Sequence, residues 1–466
     1  MTRPITRREL LARGALGAAA LAAPGCATPW LWEERPLPPG EAPRVACIGV
    51  GMQGWIDSQR IAAAGARVTA LCDVDATPPK WVFLLRDVRR AFPDARFHRD
   101  YREMLAAHAD DFDAVVISTP DHTHAHAALL AMQAGKHVFC QKPLTWSIDE
   151  ARALARAARA SGVVTQMGNQ GHARDHLRRA VELVRGGAIG RVQEVHCFTN
   201  RPIWPQGLRE RPPARPVPDD LDWDLWLGPA PERPYADGYH PFDWRGFWDF
   251  GTGALGDMGC HILDMPLFAL DAGAPLAVEA ECEDATDESP PTASTVRYRF
   301  AAGAQNDELD VVWTDGGRLP PEDVHRRLGI SQRRLRAHDC VVFGSEGALL
   351  FDHLETLELR AGARTDALHD VPTTLPRVVN NAVEWIDAIR GGPPPLSRFE
   401  LSGPFTETVL AGNLAIRAGR RVAWEETLGG AGRAADLAPW LARAPRAGWA
   451  LPELAADRAP ARAARA

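Results

Sequence analysis

The chain has no CxxC pair and no zinc-like spacing among its eight cysteines, which stand singly at Cys26, Cys47, Cys72, Cys140, Cys197, Cys260, Cys282 and Cys340. Such scatter predicts neither a disulfide framework nor a metal site. Cys47, Cys72, Cys140 and Cys197 lie in apolar, strand-like runs, where a free thiol behaves as a small hydrophobe. Positive charge is not in excess either: 53 Lys and Arg against 60 Asp and Glu leave a formal net charge of −7. Nucleic acid is thereby excluded as a general partner, because phosphate binding needs a clustered basic surface. No apolar run is long enough to be a permanent membrane span. What is present, 45% hydrophobic and 24% charged residues over 466 positions, is the balance of a soluble globular protein too long for one core, so two domains are expected.

The first thirty residues read as an address. Thr6-Arg7-Arg8-Glu9-Leu10-Leu11 precedes the Ala-rich run Gly14 to Ala23, the layout of a twin-arginine export signal, and residues 1–27 are assigned to it. A periplasmic or extracellular location follows as an expectation. Cys26 offers a lipid-anchor site after cleavage, although Pro24 fits a lipobox poorly. Residues 28–42, rich in proline, read as an extended linker. At the other end, residues 433–466 read as a tail, and the Arg and Ala excess, most visible from Arg458 to Ala466, reflects base composition.

Arg44-Val45-Ala46-Cys47-Ile48 is a buried-strand run leading into Gly49-Val50-Gly51-Met52-Gln53-Gly54 and then into helix-compatible sequence. The glycine pattern alone is weak; a strand before it, a helix after it and an acid at the right distance make it a dinucleotide site. Asp73 supplies that acid at the end of a second strand, Ala66 to Cys72, where a carboxylate reaches both hydroxyls of the adenosine ribose. An Asp there repels a 2′-phosphate, and no Arg follows at Val74, Asp75 or Ala76, which favours NAD over NADP. A third strand, Asp113 to Ile117, ends in Ser118-Thr119-Pro120, a wall of the cofactor cleft. His122, His124 and His126 follow at a spacing that suits neither one helix face nor zinc, so helix-start roles are expected of them. Another strand, Lys136 to Cys140, leads to Gln141-Lys142-Pro143 and points Lys142 into the crevice where open sheets bind ligands. Residues 43–165 are assigned to this Rossmann domain, a doubly wound parallel sheet.

The densest cluster of small and ionisable residues runs from Gly251 to Asp264. On one helix, Asp257, His261 and Asp264 fall at i, i+4 and i+7, so two acids are expected to bracket and orient the imidazole. Between Asn200 and Phe250 the chain is rich in aromatic residues, among them Trp204, Trp223, Trp226, Tyr239 and Trp244. Aromatic faces with polar edges suit a pyranose, while most of these rings anchor an irregular loop.

With these motifs in view the chain resembles the Gfo/Idh/MocA oxidoreductase family. The motifs are Gly49-Val50-Gly51-Met52-Gln53-Gly54, Cys72-Asp73-Val74-Asp75, Thr119-Pro120-Asp121-His122, Gln141-Lys142-Pro143 and Asp257-Met258-Gly259-Cys260-His261. Further segments, Thr199 to Gly207, Asp222 to Pro229 and Trp313 to Gly317, resemble its exported branch. The resemblance implies a C-terminal α/β domain with a large open, mostly antiparallel sheet, assigned to residues 166–432, and a homo-oligomer formed through that sheet. It also implies that Lys142, Asp257 and His261 are the catalytic residues. Gln141 departs from the family's usual Glu and removes a charge beside the nicotinamide region. The cofactor set expected is Gly49, Gly51, Met52, Gln53, Gly54, Asp73, Ser118, Thr119, Pro120, His124, Gln141 and Lys142. The substrate set expected is Asn169, Gln170, Arg201, Trp204, Tyr239 and Trp244. The function expected is hydride transfer between a sugar or glycoside hydroxyl carbon and tightly held NAD. A redox-neutral glycosidase with resident NAD and a non-catalytic secreted sugar-binding protein are the alternatives.

Overall fold

The computed structural model describes residues 42–75, 88–360, 362, 366–428 and 432–452. The export signal, Cys26, nearly all of the linker and the end of the tail lie outside the described residues, as does Ala76.

Short apolar runs make the first sheet. β1 (Arg44–Ile48), β2 (Arg67–Cys72), β3 (Arg96–His98), β4 (Ala114–Ile117), β5 (His137–Cys140) and β6 (Thr165–Met167) pair in the order β3-β2-β1-β4-β5-β6, every pair parallel. β4 is buried at all four positions, as a central strand covered on both faces must be. Strand order reverses between β1 and β4, and the carboxyl ends of these two strands therefore open a crevice. α1 (Gln53–Ala63) follows β1, α2 (His124–Gln133) follows β4, and α3 (Ile148–Ser161) follows β5. α3 is delimited by its own sequence: Ser147 and Glu150 form a reciprocal capping box, and Gly162 ends the helix in the left-handed region at φ 66°.

The second sheet has eight strands in the order β13-β12-β11-β7-β10-β9-β8-β14. They are β7 (Val192–Phe198), β8 (Ala277–Glu283), β9 (Ala293–Phe300), β10 (Leu309–Thr314), β11 (Cys340–Gly344), β12 (Ala348–Phe351), β13 (Leu357–Arg360) and β14 (Val422–Ala423). Only the pairing of β7 with β10 is parallel, so the sheet is mostly antiparallel. α4 (Gly253–Ile262) and α5 (Phe399–Ala418) close its inner face, where Leu255, Val409 and Leu414 share a core with Val296, Tyr298 and Trp313. Among the described residues no helix is long and apolar enough to cross a membrane.

The chain does not divide at one point. The first sheet runs on to Met167, and the helix Asn381–Ile389 returns to it, placing Val383, Trp385 and Ile386 in the core behind β1 and β4. Trp385 meets Phe139 edge-on with ring centroids 5.7 Å apart. A single boundary at 165 misses this return, because an amphipathic helix declares that it has a buried face and not which sheet it covers.

Candidate functional site

Beyond the carboxyl ends of the first sheet lies a cavity of about 390 Å³. Its glycine-rich rim is built by sterics. Gly49 adopts φ +75°, and a Cβ there would meet the Ser118 backbone at 2.8 Å; a Cβ on Gly54 would meet the Gly49 carbonyl oxygen at 1.9 Å. A Cβ on Gly51, by contrast, would meet nothing within 4 Å. Two glycines thus let α1 pack against β1 and β4, while the middle one leaves open space at the N-terminus of the helix. A pyrophosphate fits that arrangement, since free N–H groups and the helix dipole point at it. Met52 caps the helix at the unusual φ of 41°.

Asp73 lines the cavity and holds its rim. One carboxylate oxygen accepts the Val50 N–H at 2.8 Å and the other accepts the Asp75 N–H at 3.0 Å, each keeping a lone pair for a ribose hydroxyl. Burial pushes this carboxyl above its usual range, against the pull of those two N–H donors. Arg99, also on the lining, donates at 2.6 Å to the carbonyls of Val74 and Asp220. His240, from the second domain, reaches over to Asp75 at 3.1 Å.

At the other end of the cavity the two domains meet in a charge cluster. The Lys142 ammonium, carried by the loop after β5, donates to Asp257 Oδ1 of α4 at 2.6 Å. Arg245 approaches the same oxygen at 3.3 Å and pairs with Asp121 at 3.0 Å. Burial alone would raise the Asp257 carboxyl, but Lys142 and Arg245 hold it well below the carboxylate range. The guanidinium of Arg245 lies 4.2 Å from the Trp244 ring centroid and 5.6 Å from that of Trp204, and all three residues line the cavity. His261, one turn beyond Asp257 on α4, is kept neutral by burial and by the Lys142 charge, which push it well below its ordinary value. Its ring stacks on His353 at 5.6 Å, and His353 is hydrogen-bonded to Asp339.

The acids do not bracket His261 as expected. Asp257 is taken by two stronger cations, and Asp264, which begins a new helix after α4 ends at Ile262, bonds His172 at 2.8 Å and Asn169 at 3.1 Å. The break in the helix removes the i+7 alignment.

Of the cofactor set, Gly49, Gly51, Met52, Gln53, Asp73, Ser118, Thr119, Pro120, Gln141 and Lys142 line the cavity. Gly54 supports the turn from behind. His124 is a strap: its ring nitrogens lie 2.8 Å from the carbonyl oxygens of Pro143 and Thr119, joining the two loops that carry the lining. Of the substrate set, Trp204 and Trp244 line the cavity. Asn169, Gln170, Arg201 and Tyr239 do not. Asn169 is bound to Asp264 and Ser397, Arg201 donates to Asn200 at 3.3 Å, and Tyr239 is packed edge-on against Phe247 and Phe250. The sequence carries no sign of a role for Asp57, Arg245, Asp339 or His353, and Asp121 stands in a motif without a role of its own. Arg245 stood inside the aromatic stretch already singled out; His353, in the turn after β12, carried no local signal.

Residues 43–169 match the family model described as "Oxidoreductase family, NAD-binding Rossmann fold", and residues 183–310 match "Oxidoreductase family, C-terminal alpha/beta domain". The chain belongs to the Gfo/Idh/MocA oxidoreductase family. Within it, the chain is 34% identical over 168 residues to inositol 2-dehydrogenase of Rhodococcus erythropolis, a match covering 35% of this chain and 46% of that protein. It is 32% identical over 160 residues to an alpha-N-acetylgalactosaminidase of Shewanella oneidensis, covering 33% and 34%. These matches span less than half the length of either relative. The fold is shared with the WlbA dehydrogenase of Bordetella pertussis, solved with NADH and UDP-GlcNAcA, at a TM-score of 0.57 and 18% identity over 82% of this chain and 99% of that one. The Gfo/Idh/MocA Rossmann domain here is therefore an NAD-binding domain, and the open space at Gly51 and the carboxylate of Asp73 fit that cofactor.

Proposed function

We propose that this family member oxidises or reduces a carbohydrate hydroxyl carbon with NAD, at the end of the cavity where Lys142 meets Asp257, with His261 one turn further along α4. The observation that carries the reading is the 2.6 Å contact between Lys142 and Asp257, which joins a Rossmann strand end to the second domain beside the cavity. NAD held against Gly51 and Asp73 supplies the hydride acceptor. The hydroxyl proton goes to His261, which is neutral and whose ring has no hydrogen-bond partner among the described residues. Lys142, its ammonium fixed by Asp257, donates to the same oxygen and stabilises the negative charge that develops there. Trp204, Trp244 and Arg245 form the wall against which a sugar face stacks. In the matching residues this chain resembles proteins named for inositol and levoglucosan, which supports a polyol or sugar substrate.

A second reading, the redox-neutral glycosidase, is favoured by one feature: the His353–Asp339 pair puts a further proton carrier beside His261. Elimination needs more proton transfers than oxidation alone. Export by the twin-arginine route, in folded form and with NAD already bound, belongs to either reading. The test is to purify the protein without added cofactor, identify heat-released nucleotide by mass spectrometry, and then offer polyols, free sugars and glycosides to the NAD-loaded protein. Accumulating reduced-nicotinamide absorbance supports the dehydrogenase. A released aglycone without accumulating NADH supports the glycosidase, and no nucleotide binding together with no spectral change overturns both.

A further inference from the structure

Beneath the cavity floor lies a carboxylate that the proposed hydride transfer does not use. Asp57 of α1 is 2% exposed and accepts three hydrogen bonds, each of 2.8 Å: from Gln53 Nε2 on one oxygen, and from Ser118 Oγ and Gln141 Nε2 on the other. All three donors line the cavity, whereas Asp57 does not. Among the described ion pairs it has no partner; burial pushes this carboxyl above its ordinary range, against the charge of Arg60 on the next turn of α1 and the three donors that hold it.

A carboxylate can only accept, so the Gln141 amide must turn its NH₂ toward Asp57. Its oxygen then faces the other way and receives the Lys142 backbone N–H at 3.3 Å. Space for this amide is made by Gly168, where a Cβ would lie 2.7 Å from the Gln141 side chain. The carboxylate of Asp57 therefore fixes the orientation of a residue adjacent to the proposed reacting centre, and sets a negative charge behind it in a low-dielectric wall.

We infer that Asp57 and Gln141 act as one positioning unit that favours the cationic, oxidised nicotinamide over the neutral, reduced ring. Asp57 supplies the charge, and Gln141 relays its orientation without adding a second charge. A glutamate at 141 in the presence of Asp57 would place two carboxylates in hydrogen-bond contact, where only one can ionise. The charge is transposable: an acid at 141 facing an amide at 57 keeps one charge and one donor in the same pair.

The inference rests on NAD occupying the cavity, and its test separates the two. Dissociation constants of NAD⁺ and NADH are measured by fluorescence titration of the full chain, with thermal melts alongside, for wild type, Asp57→Asn, Gln141→Glu and the double variant. Wild type binding neither nucleotide would mean that the cofactor reading has failed. If it binds both, Asp57→Asn is expected to shift the NAD⁺/NADH affinity ratio toward NADH by about 3- to 30-fold, the effect of losing one buried charge behind the cavity wall in a poorly screened site. The double variant is expected to restore the ratio to within about 3-fold of wild type, since it restores the charge. An unchanged ratio in Asp57→Asn overturns the inference. Should that variant fail to fold, the double variant decides alone: a ratio near wild type supports the transposable pair, and a ratio shifted toward NADH overturns it.

Discussion

Gly51 and Gly54 stand in one turn and meet opposite surroundings. Gly51 faces open space, whereas a methyl on Gly54 would sit 1.9 Å from the Gly49 carbonyl oxygen. Gly51→Ala should therefore melt close to wild type and bind NAD less tightly, because the new methyl occupies the place of the pyrophosphate. Gly54→Ala should destabilise the fold by about 1–3 kcal/mol or more, the cost of overpacking against backbone. Paired thermal melts and NAD titrations check this, and equal effects of the two substitutions on stability would contradict it. Asp73 behaves less simply than its position suggests, since it ties the Val50 N–H of the turn as well as lining the cavity, so its removal loosens the rim too. At this scale the sequence is legible wherever a residue type has one steric or chemical use: the glycines, the acid after β2 and the lysine after β5 all line the cavity or support it. It is opaque where pairing is decided by competition. Asp257 chooses Lys142 over His261 because an ammonium 115 residues away in the chain arrives at 2.6 Å.

The segment from Asp121 through α2 shows the same contrast in an element. Its three histidines, spaced two apart, point in three directions. His122 lies 2.9 Å from the Trp226 carbonyl in the second domain, His124 straps the cofactor loops, and His126 meets the Tyr101 hydroxyl at 2.8 Å and packs on Trp449. Such divergence is what a 3₁₀ turn running into a helix produces, and no periodicity reveals it. Burial, aided by Arg443, pushes His122 down to about 3, and burial aided by Arg102 pushes His126 down to about 4. These groups bind protons less readily folded than unfolded. Their contribution to stability is complete above about pH 6.5 and is lost as the pH falls toward 4, at about 1.4 kcal/mol per unit of difference for each. Melting temperature should fall between about pH 7 and about pH 5, and His126→Gln, which keeps a partner for Tyr101, should flatten that slope. Parallel curves for the variant and wild type would show that this histidine does not titrate on unfolding. The strands themselves were legible, because runs such as Ala114–Ile117 are apolar throughout; the irregular stretch around residues 200–250 was not, because its rings pack on one another in no repeating pattern.

At the scale of the whole molecule, the site exists only because two domains are held in register. Lys142 reaches Asp257, His122 reaches Trp226, and His240 reaches Asp75, each tie crossing from the first sheet's side to the second's. Two domains and their order along the chain could be read from length and motifs. The return of Asn381–Ile389 to the first sheet could not, since that choice depends on which apolar face stays uncovered after the rest has packed. Crossing ties make the central claim testable from either side of the cleft. The most direct measurement is single-turnover absorbance at the reduced-nicotinamide band, with NAD-loaded protein and a substrate that turns over, for wild type, Lys142→Ala and His261→Ala. Each substitution should slow hydride transfer by about 10²–10⁴-fold while NAD stays bound, and the double variant should be little slower than either single one. Near-wild-type rates in both single variants would contradict the account and remove Lys142 and His261 from the chemistry.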